Sequence, residues 1–517
     1  MYAARMETAN AMHVRSQRSG AILRTKRIGL HTQREPIVVM RSDCPVCRSE
    51  GLAPRSQVLL KADGREVAAI LFQGADDLLE PNEIGLSEAA WELLGGVEHE
   101  RVRISHLPPV ESMGSVRGRV FGGKLKQQAL AHIVEDVVAG RYSDVQLAAF
   151  ITAGTAVPFD DEETFALTKA MAGAGDQLSW NFEVIDKHSV GGLPGNRTTP
   201  IVVAIAAASG LKIPKTSSRA ITSPAGTADA METVTKVDLD LDTIRKVVET
   251  EGGCLAWGGA LRLSPADDIF IGVERQLDID PEGQLIASVL SKKIAAGAKR
   301  LVLDIPVGPT AKVRSQAAGR ALANRITDIA ARFGVAVHCL LSDGRQPVGG
   351  SIGPALEMMD VFAVLRGEPD APADLRDRAL TLAAAILELG GAADKGHGSQ
   401  RARQLLEDGS AYRKFESICR AQGGFREPKE ARLQWTVGSS QSGTVDAIDN
   451  RKIARLAKFA GAPDSPSAGL RLHVRIGTKV NRGDPLFTLH AETEAELDYA
   501  LDYWATACEA ITLSPVP

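Results

Sequence analysis

The run Asp186-Lys-His-Ser-Val-Gly-Gly-Leu-Pro-Gly-Asn196 sets a lysine, a histidine and a serine directly before three glycines. Such a stretch suits an anion. Glycine lets the backbone come close and take positive φ. A helix leaving from Thr198 or Thr199 offers free N–H groups and the positive end of its dipole. Lys187 adds a full charge, and Ser189 and Thr199 add hydroxyl donors. An ordinary glycine-rich turn between strand and helix would not call for Lys-His-Ser ahead of it. The chemistry indicated is phosphate binding.

A second run, Lys215-Thr-Ser-Ser-Arg-Ala-Ile-Thr-Ser-Pro-Ala-Gly-Thr-Ala-Asp229, is dense in hydroxyls and carries one arginine. It enters a helix with Asp229 and Glu232 early in it, where acids suit the dipole on structural grounds alone. Solvated Ser/Thr loops are common singly. Two of them on successive strands of one sheet are harder to put down to solvation. Further along, Asp280 precedes Pro281 and is placed to cap a helix over 282–293. Ser288 and Lys292, four apart, share one face of that helix. Gly308-Pro-Thr-Ala-Lys312 reads as Lys312 at a helix start, where a cation is unfavourable without an anion nearby. Asp343-Gly-Arg-Gln-Pro-Val-Gly-Gly-Ser-Ile-Gly-Pro354 is a third glycine-rich loop.

The elements that must position these groups fall into four regions. Residues 35–117 show short alternating stretches (36–40, 58–61, 66–71, 102–105) and one helix, Ser87–Leu94, with Ser87 as its cap: a small β-rich module. Residues 118–180 are helical by period, with Leu125, Leu130, Ile133 and Val137 on one stripe. From 181 to 430 strands alternate with helices, at Phe182–Ile185, Ile213–Thr216, Ala298–Ile305 and Val335–Leu341. That pattern implies an α/β domain on a mostly parallel sheet, with ligands at the carboxyl ends of the strands. A helical insertion, about 265–297, goes with the second region. Residues 431–517 return to strands, with 477–483 as a hairpin connection, in a small α+β domain.

Composition sets the bounds. The chain has 517 residues, enough for about three domains, and a net charge of -4. There is no global basic field for nucleic acid or an anionic membrane. No apolar run approaches the ~20 residues of a membrane span. Residues 1–34 are rich in arginine and read as a disordered extension. The six cysteines read as reduced thiols of a cytoplasmic protein. Cys44-Pro-Val-Cys47 reads as a turn, not a metal site, since no second pair lies nearby.

Taken together, the motifs from about Cys44 to the C-terminus resemble those of the thymidine phosphorylase/AMP phosphorylase family. Lys-His-Ser-x-Gly-Gly at 187–192 is similar to its phosphate loop. Ser-Ser-Arg-Ala-Ile followed by Gly-Thr-x-Asp-x-Met-Glu, 217–232, is similar to its signature, and 287–293 to its base-contacting helix. The resemblance implies a nucleoside-phosphorylase fold, a helical domain facing a large α/β domain, in a homodimer or larger homo-oligomer. It implies phosphate at Lys187, Ser189, Gly192, Thr199, Ser217 and Thr227, and no cofactor beyond phosphate as co-substrate. It implies nucleoside or nucleotide contacts at Ser218, Arg219, Ala220, Ile221, Thr222, Ser223, Ser288, Lys292 and Lys312. The candidate acids are Asp280, by resemblance to the AMP branch, and His188.

Ser223-Pro-Ala-Gly-Thr227 departs from the nucleoside branch of the family and sits closer to the AMP branch. The expected reaction is phosphorolysis of a pyrimidine nucleoside, with AMP as the alternative substrate. A phosphoribosyltransferase of similar fold would use Mg²⁺ and a diphosphate, and no clear paired-acid motif is present for it. A non-catalytic nucleotide-binding protein would not need Lys187, Ser217, Arg219 and Thr227 together.

Overall fold

The computed structural model describes residues 21–49, 51–75, 77–220, 223–507 and 509–514. They divide into two compact units. One reaches Phe121 and takes in 135–150; the other takes in 122–134 and the chain from Ile151 onward.

The first unit is built on a closed barrel of β1 (Ala21–Arg27), β2 (Ile37–Arg41), β3 (Gln57–Ala62), β4 (Arg65–Gly74), β5 (Glu83–Leu86) and β6 (Arg101–His106), in the order β1-β5-β2-β4-β3-β6. Closure removes the free edges an open sheet would present. Val38, Met40, Leu60, Leu71, Ile84 and Ile104 fill it. Ser87 caps the helix Glu88–Leu94, its Oγ accepting from Ala90 N–H at 3.3 Å.

The expected disordered extension is corrected for its second half. β1 lies within residues 1–34 and pairs with β5 and β6. Its basic content hides the alternation that turns Leu23 and Thr25 inward. Residues 1–20 lie outside the described residues. Cys44 and Cys47 are buried around a short helix, Pro45–Ser49, and burial pushes the Cys47 thiol up to about 11.

Helices Gln127–Val138, Asp144–Ala156 and Asp161–Gly173 follow in the chain. Asp160 starts the third with a reciprocal capping box to Glu163. The helix Glu282–Ala295 packs on Asp161–Gly173: a Cβ added at Gly283 would lie 2.8 Å from Phe159 Cβ. Arg325 bonds both Asp161, at 2.6 Å, and Glu282, at 2.9 Å.

The α/β part carries β7 (Ile185–Ser189), β8 (Ile213–Ser217), β9 (Gly253–Trp257), β10 (Arg300–Val307) and β11 (Ala336–Asp343). They form parallel ladders β11-β10-β7 and β8-β9. Ile185 N–H donates to Lys212 O at 3.0 Å across the seam between β7 and β8. The helix Thr198–Ala208 is apolar on every side and buried through Ala207. That marks it as a core helix; Pro200 is tolerated because it lies in the first turn.

The C-terminal part holds β12 (Ser351–Ile352), β13 (Leu433–Gly438), β14 (Gly443–Ile448), β15 (Gly469–Leu472), β16 (Lys479–Val480), β17 (Pro485–Ala491) and β18 (Ile511–Ser514). One sheet runs β12-β15-β17-β13, the other β16-β14-β18. The stretch 477–483 therefore contains a short strand paired with β14, not only a turn. No helix of the described residues is long and apolar enough to cross a membrane.

Candidate active site

β7 begins at Ile185, later than the expected strand Phe182–Ile185, so Lys187, His188 and Ser189 are its last three residues. Lys187 is 1% exposed. Its Nζ donates to Thr198 Oγ1 at 2.9 Å and Thr199 Oγ1 at 3.2 Å, at the start of the core helix. Burial pulls its pKa down to about 8, against the attraction of Asp304.

Behind it, Asp186 accepts from Lys293 Nζ at 2.6 Å, with Lys215 Nζ 3.8 Å from its other oxygen. Burial, with the charges of Lys293, Lys215 and Lys187, holds His188 well below the usual histidine range. That shift favours the neutral imidazole when no anion is bound. Ser189 Oγ donates to Asp304 Oδ2 at 3.0 Å, where Asn196 Nδ2 also donates at 3.2 Å. The Ser189 proton is engaged there, so its oxygen has only lone pairs left to offer.

Arg197 joins the first loop to the second. It is 7% exposed. It donates to Thr227 Oγ1 at 2.7 Å, to Ala225 O at 2.8 Å and to Glu357 Oε2 at 2.7 Å. It escapes sequence reading because Thr227 and Glu357 lie 30 and 160 residues away.

In the second loop, Asp229 Oδ2 accepts from Ala220 N–H at 2.6 Å and Gly226 N–H at 2.8 Å. Asp229 thus folds the loop, a larger task than attending the helix dipole. A Cβ at Gly226 would meet Ser218 O at 2.4 Å, so only glycine fits. Ser217 Oγ donates to Ala256 O at 3.2 Å and Ser223 Oγ to Ala225 O at 2.9 Å, while Ser218 is exposed. Ile221 and Thr222 lie outside the described residues. Arg219 bonds Glu232 at 2.9 Å and Asp229 at 3.3 Å and lies 4.8 Å over the Trp257 ring. Those two acids anchor its guanidinium.

Lys312 is not at a helix start. The next helix begins at Gln316, capped by Ser315, and Lys312 sits in a turn closed by Gly308 N–H to Val313 O at 3.0 Å. Its stem lies against Gly192, which has φ +80° and where a Cβ would meet Lys312 Cγ at 3.0 Å. Its ammonium pairs with Asp280. Asp280 makes no capping bond to the helix Glu282–Ala295, whose N-cap is Pro281. On that helix Ser288 is half-buried. Lys292 meets Asp267 at 2.6 Å and Asp268 at 3.5 Å, and these outweigh burial to raise its pKa. Glu274, likewise hidden from the sequence pattern, is pushed up to about 8 by burial and by the charges of Asp267 and Asp280. It carries a proton at neutral pH.

A helix and a loop of the C-terminal part support these loops. Asn450 Nδ2 donates to Thr310 Oγ1 and Gly344 O, both at 2.9 Å. Arg475 donates to Pro347 O at 3.0 Å and to Gly349 O.

The chain matches the glycosyl transferase family in both its helical and its α/β parts. Residues 117–175 match the family's helical bundle domain, 181–412 its a/b domain, and 444–510 the pyrimidine nucleoside phosphorylase C-terminal domain. The chain is 60% identical over 493 residues to a protein of Chelativorans sp. (strain BNC1) named "Putative thymidine phosphorylase", covering 95% of this chain and 97% of that one. It is 57% identical to a protein of the same name from Tolumonas auensis, covering 95% and 98%. The chain belongs to the thymidine phosphorylase family and is a pentosyltransferase-type enzyme. Among solved structures, anthranilate phosphoribosyltransferase from Thermus thermophilus shares the fold, with TM-score 0.50, 20% identity, 60% of this chain covered and 99% of that one.

Proposed function

We propose that the protein splits the N-glycosidic bond of a pyrimidine nucleoside with inorganic phosphate, giving free base and a pentose 1-phosphate. The observation that carries this reading is the junction at residues 197–199. Lys187 bonds Thr198 and Thr199, and Arg197 bonds Thr227, so both loops converge on one helix start. A phosphate there neutralises Lys187 and meets donors that need not reorganise.

In the reaction a phosphate oxygen bonds the anomeric carbon as the carbon–nitrogen bond breaks. The bonding pair leaves with the base, which takes up a proton. The protonated Glu274 supplies that proton; Asp280, the acid implied by the resemblance, can do so only by passing on the Lys312 proton it accepts, and His188, shifted towards its neutral form, is a hydrogen-bond partner. The groups expected to touch base and sugar, Ser288 and Lys292, stand on a helix tied to β7 through Lys293 and Asp186.

AMP phosphorolysis is the second reading. It is favoured by Ser223-Pro-Ala-Gly-Thr227 and by Lys312, a second cation held against the first loop. The test offers thymidine, uridine, cytidine and AMP in parallel with phosphate and measures released base. Release from AMP alone supports the second reading. Release from none of them, with phosphate present, overturns both. The same proposal takes the protein to be a cytoplasmic homo-oligomer, which light scattering on the purified chain checks for mass.

A further inference from the structure

Resting on the phosphorolysis reading, we infer that Arg197 is a positioning residue that aims the Thr227 hydroxyl at the phosphate. A threonine hydroxyl holds one proton and two lone pairs, and a guanidinium can only donate. The Arg197 Nη1 to Thr227 Oγ1 bond, at 2.7 Å, therefore occupies a lone pair of Thr227 and leaves its proton for another acceptor. Thr227 is half-buried at the start of a short helix whose neighbouring N–H groups are engaged, Gly226 N–H by Asp229 and Ala228 N–H by Ser218 O, so the donor it can offer an anion is its hydroxyl proton.

Lys187 treats Thr199 in the same way, donating to Thr199 Oγ1 at 3.2 Å. The two cations thus act partly through hydroxyls, turning threonines that could accept into donors. Glu357 holds Arg197 in place. It is 1% exposed, accepts from Arg197 Nε at 2.7 Å, and accepts from Gly353 N–H at 3.1 Å. Arg197 therefore connects the first two loops to the end of the third.

Lysine at this position could keep the charge but has no planar fork to reach Thr227, Ala225 and Glu357 together. The experiment compares Arg197→Lys, Arg197→Gln, Thr227→Val, Thr227→Ser and the double variant Arg197→Lys/Thr227→Val. It measures KM for phosphate and kcat, phosphate binding by calorimetry, and the thermal midpoint of each variant. The expected result is a rise in phosphate KM of about tenfold for Arg197→Lys and for Thr227→Val, with kcat changed less, and rescue in Thr227→Ser. The double variant is expected to match Thr227→Val, because the arginine acts through that hydroxyl.

Full additivity in the double variant, or unchanged phosphate KM in both Arg197 variants, would overturn the inference while leaving the phosphorolysis reading intact. Unchanged phosphate affinity in Thr227→Val would instead remove Thr227 from the phosphate site and take the inference with it. If Arg197→Lys does not fold, Arg197→Gln and calorimetry with inorganic phosphate decide on the same criteria.

Discussion

A lysine almost wholly out of water, facing two threonine hydroxyls, is poised for an anion. With its pKa near 8, Lys187 is protonated at neutral pH in the empty protein and loses the proton as pH rises past that value. Phosphate binding favours the charged form, so affinity for phosphate should fall as pH rises through about 8. Measured as a midpoint shift, phosphate should stabilise the protein more below that pH than above it.

The effect of this lysine on the unliganded protein has the opposite sense. Its folded pKa lies below the ordinary 10.5, so the unfolded chain binds more protons between about 8 and 10.5. The Lys187 contribution to stability therefore improves as pH rises through that window. Replacement by alanine should abolish phosphate-dependent turnover and flatten both trends. Near-normal phosphorolysis in Lys187→Ala would end the model.

At the scale of loops and helices, glycine positions make separable predictions. Gly226→Ala forces a Cβ to 2.4 Å from a main-chain carbonyl, which cannot move without unfolding the loop that Asp229 organises. The expected loss is about 2 kcal/mol or more, read by denaturant unfolding, with phosphate binding lost as well. Gly192→Ala meets the flexible stem of Lys312, which can shift, but φ at +80° strains any other residue. A smaller loss, about 1 kcal/mol, is expected there, together with weakened substrate affinity.

What the sequence made legible follows the range of the interactions. Lys187, Thr199 and the core helix lie within one strand–loop–helix stretch, and their local order reveals them. Arg197 with Glu357 and Ser189 with Asp304 join residues 160 and 115 apart, and no spacing rule reaches that far. Gly308-Pro309 looks like a helix lead-in to Lys312, whereas the backbone bond from Gly308 to Val313 closes a turn first. β1 escapes the strand pattern because its two inward residues stand among basic ones, and its partners in the barrel are distant in the chain.

Across the α/β and C-terminal parts, distant segments hold the loops in place. Asn450 spans Thr310 and Gly344 and is buried, so Asn450→Ala should leave unsatisfied groups and cost about 1–3 kcal/mol in thermal or urea unfolding. Because Thr310 lies just before Lys312 in the same turn, the same variant should weaken nucleoside or nucleotide binding although it touches no substrate.

The two-residue strand β12 pairs with β15, and Arg475 clasps the loop just before it. During synthesis, the third glycine-rich loop must therefore wait for a long further stretch of chain to leave the ribosome before its final contacts can form. This loop beside the proposed site is completed late in the life of the nascent chain. A chain that stops short of Gly469 would hold the two loops proposed to bind phosphate yet lack the partner that settles their neighbour, so premature termination leaves the third loop unfinished.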